Sequence, residues 1–346
     1  MSYRSSVKRW NPLLGEWIII APATGVRPWS GAVVSSSPNE LPVHDPDCYL
    51  CPGVIRASGE VNPNYDGIYV FDNDYPSLSM NTAQDESSEQ KTPEHPARGI
   101  CRVVCFTPKH NVTFAEMTTD EVHAVFMSFY DQFEELSAIE EIQHVMIFEN
   151  RGKIIGVSNP HPHGQIYCTD FVPRIPATRY AHALLHKREK DTCIFCKIIE
   201  DELADGRRII TENDDFVAFT PYFARLSYEV FIFPRRHVPF ITELSVKEIQ
   251  SLAAIHKEMM VRFDNLFQMP FPNITVFQNA PCSSKINPES YHFHIEFLPP
   301  LRSPDKLKYM AGFESGGGNI VNPIFPEESA EALRNVSTIH YLKRNQ

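Results

Sequence analysis

The feature that most limits how this chain can fold is that it is written twice. A first set of landmarks runs Cys48-x-x-Cys51, then Phe71-Asp72-Asn73-Asp74-Tyr75, then an apolar run ending at Lys109-His110, then Phe148-Glu149-Asn150 and His161-Pro162-His163. The second runs Cys193-x-x-Cys196, Glu212-Asn213-Asp214-Asp215-Phe216, Glu229 to Phe233 ending at Arg236-His237, Phe277-Gln278-Asn279 and His292-Phe293-His294. Fine spacing repeats as well: Glu116, Thr118 and Glu121 follow His110 as Glu243, Ser245 and Glu248 follow His237. Two halves of similar fold follow from this.

Local patterns say what each half contains. Thr118-x-x-Glu121 and Ser245-x-x-Glu248 are capping boxes that predict helix starts. Apolar residues follow each at helical spacing: Val122, Val125, Phe126, Phe129, Phe133 and Leu136 in one, Ile249, Leu252, Met259, Phe263 and Leu266 in the other. Arg102 to Phe106, Val145 to Phe148, Ile274 to Phe277 and His294 to Leu298 are short runs rich in β-branched and aromatic residues, and predict strands. The expected class is α+β, each half an antiparallel sheet with packed helices. At 346 residues and 42% hydrophobic composition, about two domain-sized units fit. The boundary is expected between Val172 and Arg188, where two prolines precede a basic stretch, giving halves of residues 1–178 and 179–346. The 28 prolines predict a loop-rich chain with modest helix, and residues 81–98 a solvated loop.

Charge and cysteine usage exclude several functions. A net charge of −11 leaves no diffuse positive field for a nucleic-acid backbone, so no nucleic-acid partner is expected. Neither an apolar leader at the N-terminus nor a run of the roughly 20 apolar residues that a span needs is found, so no membrane partner is expected either. Eight cysteines in so long a chain make a poor disulfide scaffold, and the expected compartment is a reducing cytoplasm.

Four of those cysteines stand as knuckles. Zinc favours four thiolate or imidazole ligands in a tetrahedron, commonly a Cys-x-x-Cys with later histidines. Cys48, Cys51, His110 and His161 make one such set, and the repeat predicts a second from Cys193, Cys196, His237 and His292, hence about two zinc ions per chain. Cys101, Cys105, Cys168 and Cys282 lie among apolar residues like ordinary buried thiols.

The densest signal is Gly156 to Gln165, which contains Ser158-Asn159-Pro160-His161-Pro162-His163-Gly164-Gln165. In an extended segment His161 and His163 point to one side, which suits one anchored histidine and one presented. Gly164 would let a ligand approach the backbone closely. Neutral imidazole, with a pKa of about 6.5, is a competent nucleophile at pH 7.

His-Pro-His-Gly-Gln preceded by Ser-Asn-Pro resembles the galactose-1-phosphate uridylyltransferase family of the histidine-triad superfamily. The resemblance covers most of the chain, from Asn11-Pro12-Leu13, Gly15 and Trp17 through Arg27-Pro28-Trp29, Asn73-Asp74 and Phe148-Glu149-Asn150 to Lys308-Tyr309-Met310-Ala311-Gly312-Phe313-Glu314. It implies two tandem histidine-triad-like halves and a ping-pong exchange of UMP between UDP-glucose and galactose 1-phosphate. His163 resembles the nucleophile and Gln165 the amide that holds the phosphoryl oxygens. Arg27, Asn73, Asp74, Asn150, Gly156 and Ser158 match positions around uridine diphosphate. Lys308, Phe313 and Glu314 match positions around the hexose, and His161, Cys48, Cys51 and His110 match zinc ligands. A homodimer is the expectation that goes with the resemblance.

Two features depart from the best-known bacterial members, whose second metal site uses a carboxylate and histidines. Gln278 follows Phe277 here, and Cys193 with Cys196 forms a knuckle. These features, with Gly316 to Pro323, resemble a two-zinc branch that includes phosphorylases of ADP-glucose, so an ADP-glucose phosphorylase is the alternative enzyme. A zinc-stabilised nucleotide-binding protein without turnover is the alternative from another class. His294 stands where His163 stands in the first copy, but Ile295-Glu296 replaces Gly164-Gln165, so the second copy reads as non-catalytic, with His294 a core residue.

Overall fold

The computed structural model describes residues 5–26, 41–81, 95–283 and 286–344. The first half carries β1 (Val7–Asn11), β2 (Glu16–Ile20), β3 (Tyr69–Asp72), β4 (Gly99–Cys105), α1 (Thr119–Ser137), β5 (His144–Arg151) and β6 (His163–Thr169). It leads into α2 (Arg174–Lys190), α3 (Ile194–Asp205), β7 (Ile209–Glu212), β8 (Phe216–Phe219), β9 (Val230–Pro234), α4 (Val246–Phe267), β10 (Asn273–Gln278) and β11 (His294–Leu298). A tail of β12 (Leu301–Ser303), β13 (Lys306–Leu307), α5 (Gly312–Gly317), β14 (Val321–Asn322) and α6 (Pro326–Asn335) completes the described elements.

Both capping boxes form. Thr118 accepts the Glu121 N–H at 3.2 Å while the Glu121 carboxylate accepts the Thr118 N–H at 2.7 Å. Ser245 and Glu248 repeat this at 3.2 and 2.8 Å. Each box satisfies two of the N–H groups that a helix start leaves unpaired. All six apolar residues read for α1 are buried. In α4 burial extends beyond the expected stripe to His256, Arg262, Asp264 and Asn265. The cause is tertiary: Phe114, Phe126, Phe277 and Phe297 surround His256, and the C-terminal segment covers the others, with Arg262 donating to the carbonyls of Leu333, Arg334 and Val336, Asn265 to those of Ser337 and Ile339, and His340 reaching Asp264.

The expected pair of sheets is one continuous nine-stranded sheet, ordered β3-β4-β6-β5-β10-β11-β9-β8-β7. Its order reads outward from a seam between β5 and β10, so that β6 answers β11, β4 answers β9 and β3 answers β8. The seam is an antiparallel ladder pairing Phe148 with Val276 and Asn150 with Ile274. The largest apolar cluster crosses the seam, joining Phe126 and Phe129 of α1 to Met259 and Phe263 of α4 and to Phe277 of β10. A buried bidentate ion pair also crosses it, Arg151 to Asp264 at 2.7 and 2.8 Å.

The segment expected to hold the boundary, Val172 to Arg188, is largely helix α2, which contains position 178. Pro173 and Pro176 sit at its start, where proline costs no helical hydrogen bond. Most of the loop expected over 81–98 lies outside the described residues. The tail's Gly-rich run ends α5 and leads into β14, which joins β2 in parallel and so ties the C-terminal part to the N-terminal hairpin. No helix among the described residues is long and apolar enough to cross a membrane.

Candidate active site and metal centres

β6 lies between β4 and β5, pairing His163 with Cys105, and Gln165 with both Val103 and Phe148. Strand alternation puts His163 and Gln165 on one face and Gly164 on the other. On the first face is a cleft of ≈ 300 Å³, where His163, Gln165, Ser158, Asn73 and Asp74 meet an apolar wall that includes Leu50, Phe71 and Val103. Gly164 has a different reason from the one read in the sequence. A Cβ there would come within 3.0 Å of the Phe106 ring and 3.1 Å of the Phe148 carbonyl, so the glycine admits core packing behind the cleft, not a ligand in front of it.

The imidazole of His163 is held by one ring nitrogen. Nδ1 is 2.7 Å from the His161 carbonyl, and a carbonyl can only accept, so Nδ1 carries the proton and Nε2 keeps its lone pair. Burial lowers the pKa of this ring, opposed by that hydrogen bond, so it is neutral at pH 7. A neutral, oriented imidazole beside a carboxamide at the floor of a mixed polar and apolar cleft can attack an electrophilic centre and stabilise charge on it.

His161 belongs to a buried group with Cys48, Cys51 and His110 whose ligand atoms all lie within 4.8 Å of one another. Cys51 Sγ is 3.6 Å from His110 Nδ1 and 3.5 Å from His161 Nδ1. The edge between sulfur and nitrogen in a tetrahedral zinc site is about 3.6 Å, so the donor set fits zinc in chemistry and in size. The outer nitrogen of His161 is held by the Thr107 carbonyl at 3.0 Å and faces the Tyr65 hydroxyl at 3.2 Å, the kind of outer contact that orients a ligating histidine. Burial pushes the Cys51 thiol up to about 11, so thiolates here call for a cation as counter-charge.

The second group contains Cys193, Cys196 and His237, with Cys196 Sγ 3.3 Å from His237 Nδ1. His292, the fourth ligand expected from the repeat, is not within this group. Its ring stands 4.9 Å from that of His237, its Nδ1 bonds the Phe293 carbonyl at 3.0 Å, and its Nε2 is buried without a partner.

The second copy of the reactive motif is closed. His294 Nδ1 is 2.9 Å from the His292 carbonyl, repeating the tether of His163. Its Nε2, however, faces Glu296 at 3.4 Å and Arg179 at 3.5 Å, and Arg179 pairs with Glu296 at 2.7 Å. Gln278 donates to the other Glu296 oxygen at 2.9 Å, Phe233 stacks on the ring at 4.5 Å, and His294 has no exposed surface.

The remaining expected residues divide. Asn73 and Asp74 follow β3 at the cleft, Asp74 lying 3.4 Å from Arg56. Asn150 does not line the cleft but shares the strand face of Phe148, which pairs with Gln165. Gly156 has φ +86° after a short 3-10 turn, a conformation that favours glycine. Lys308 and Glu314 form an ion pair at 2.5 Å, and Phe313 is exposed; none of the three lines the cleft. Arg27 lies outside the described residues. The sequence reading missed Asn159, Tyr65, Thr107 and Arg179. Asn159 sat inside the quoted motif, whereas Arg179 left no local signal.

A two-half α+β fold with an oriented imidazole in a cleft beside a buried Cys/His group is the frame of a transferase. The N-terminal domain of galactose-1-phosphate uridyl transferase matches residues 2–173, and its C-terminal domain matches residues 179–345, so the chain belongs to that family. The galactose-1-phosphate uridylyltransferase of Haemophilus influenzae is 37% identical over 345 residues, which is 98% of this chain and 97% of that protein. A solved uridylyltransferase structure superposes with a TM-score of 0.76 at 27% identity, covering 95% of this chain and 98% of that one. An ADP-glucose phosphorylase from Arabidopsis thaliana shares the fold, with a TM-score of 0.77 at 23% identity and coverage of 96% and 100%.

Proposed function

We propose that this enzyme transfers UMP between UDP-glucose and galactose 1-phosphate through a uridylyl group carried on His163. The observation that carries this reading is the tether of His163 Nδ1 to the His161 carbonyl, which leaves Nε2 as the free lone pair in the cleft. Nε2 attacks the α-phosphorus of UDP-glucose, an N–P bond forms, and the bond to the departing oxygen breaks to release glucose 1-phosphate. The ring then carries positive charge, and its Nδ1–H stays bonded to a carbonyl suited to that charge. Galactose 1-phosphate attacks the same phosphorus, the N–P bond breaks, and the neutral imidazole returns. A sugar phosphate leaves as a stable anion, so no strong acid is required.

Gln165 donates to charge on the phosphoryl oxygens. Asn73, Asp74, Asn150, Gly156, Ser158 and Arg27 contact the uridine diphosphate, and Lys308, Phe313 and Glu314 the hexose. Zinc held by Cys48, Cys51, His110 and His161 is structural, because four protein ligands leave no open position. A second zinc would be held by Cys193, Cys196 and His237. The protein acts as a cytoplasmic homodimer, and light scattering tests the second of these statements.

Separate incubation with radiolabelled UDP-glucose and ADP-glucose tests the reading. Label from UDP-glucose should stay on the protein while glucose 1-phosphate is released without any acceptor. His163→Gly should abolish exchange, and added imidazole or a uridylyl imidazolide should restore one half-reaction. His294→Gly should retain exchange. Label taken from ADP-glucose in preference would favour the phosphorylase instead.

A further inference from the structure

Between Asn159 and His163 two of the three intervening residues are proline, so the His161 N–H is the only backbone donor of residues 160–162. That donor does not enter the sheet. It is accepted by the side-chain oxygen of Asn159 at 2.9 Å. The same amide reaches the metal group: its Nδ2 is 3.2 Å from Cys48 Sγ, and its Oδ1 is 3.3 Å from that sulfur. Asn159 is 4% exposed, and its neighbour Ser158 lines the cleft. On the far side of His161, the carbonyl that holds His163 Nδ1 belongs to the residue whose N–H Asn159 grips. One buried amide therefore links a Cys48 sulfur to the residue whose carbonyl aims the His163 ring.

We propose that Asn159 is a positioning residue which couples the Cys48 thiolate to the orientation of the His163 imidazole. An amide suits both tasks. Its N–H donates to a thiolate, and its oxygen accepts from the His161 N–H. Outer contacts of this kind typically carry 10–100-fold in metal affinity or activity. This inference rests on the reading of His163 as the nucleophile.

The test uses the full chain with zinc bound and compares the parent with Asn159→Ala, Asn159→Asp and Asn159→Ser. One readout is the rate at which a chromogenic chelator removes zinc. The other is the single-turnover release of glucose 1-phosphate from UDP-glucose, with zinc in excess. Asn159→Ala should lose zinc about tenfold faster and release glucose 1-phosphate about 10–100-fold more slowly, with KM for UDP-glucose unchanged within about threefold. Asn159→Asp and Asn159→Ser both keep an acceptor for the His161 N–H. They should retain the turnover rate within about threefold while still losing zinc faster, and they carry the test if the alanine variant does not fold. Parental rates on both readouts in Asn159→Ala would overturn the proposal. So would faster zinc loss in Asn159→Ala together with a parental turnover rate in excess zinc, because Asn159 would then act on the metal alone. If the parent itself takes no label from UDP-glucose, the nucleophile reading fails, and the zinc-release comparison still reports on the Cys48 contact.

Discussion

Glu149 and Asn150 are adjacent in sequence and face opposite ways, which is how one strand serves both chemistry and core. Asn150 lies on the cleft face of β5, whereas Glu149 is buried behind it with one oxygen unpartnered, and its burial pushes the carboxyl up to about 7 despite nearby Arg151. A carboxyl whose pKa is raised on folding binds its proton more tightly in the native state. Its contribution to stability is therefore full below about 4.5, the unfolded value, and is lost as pH rises through about 7. Glu149→Gln should remove that loss. Denaturant melts at pH 5 and pH 8 should show the variant gaining on the parent at the higher pH by about 2.5 kcal/mol, from 1.36 kcal/mol per pKa unit. Equal pH slopes for the two proteins would show that Glu149 is already ionised in the fold.

At the level of single elements, the repeated helices depend on the same local device. The caps of α1 and α4 lie at the protein surface and away from the cleft, so their loss should cost helix stability without touching the chemistry. Thr118→Ala and Ser245→Ala should each destabilise by about 1 kcal/mol and leave the release of glucose 1-phosphate at the parental rate, as thermal unfolding and single-turnover assays can check. Strand β6 is the opposite case, since its two faces were legible to different degrees. The alternation of His163, Gly164 and Gln165 was readable from the sequence, but the reason for glycine was not. Phe106 and the Phe148 carbonyl reach Gly164 from other strands, and nothing in the motif itself announces them.

For the whole molecule, the shared sheet and the core across the seam make the halves interdependent, and the two metal groups lie one in each half. Metal analysis should find about two zinc ions per chain. Cys48→Ser and Cys193→Ser should each remove one and lower stability, because the free energy of metal binding is part of the free energy of folding. A chain with one zinc ion that Cys193→Ser leaves in place would show that the second group holds no metal. The repeat in the sequence located both groups to within one residue. His292 is the exception, and the reason is geometric: the repeat fixes where a histidine falls along the chain but not where its ring turns, and here Nδ1 is held by the Phe293 carbonyl.

The sequence by itself determined the two-half plan, both helix starts, the strands that form the seam and the Cys/His groups, because each rests on spacing within a single element or on the order of the repeats. Only the tertiary structure decided that the two sheets become one, that Gly164 serves the core, and what shuts the copy around His294, which the sequence already reads as non-catalytic. Arg179 closes that site from a helix more than a hundred residues away in sequence, and it reaches Glu296 only because α2 packs there. Periodicity reports whether a face is buried, but which distant charge arrives against it depends on how the elements pack.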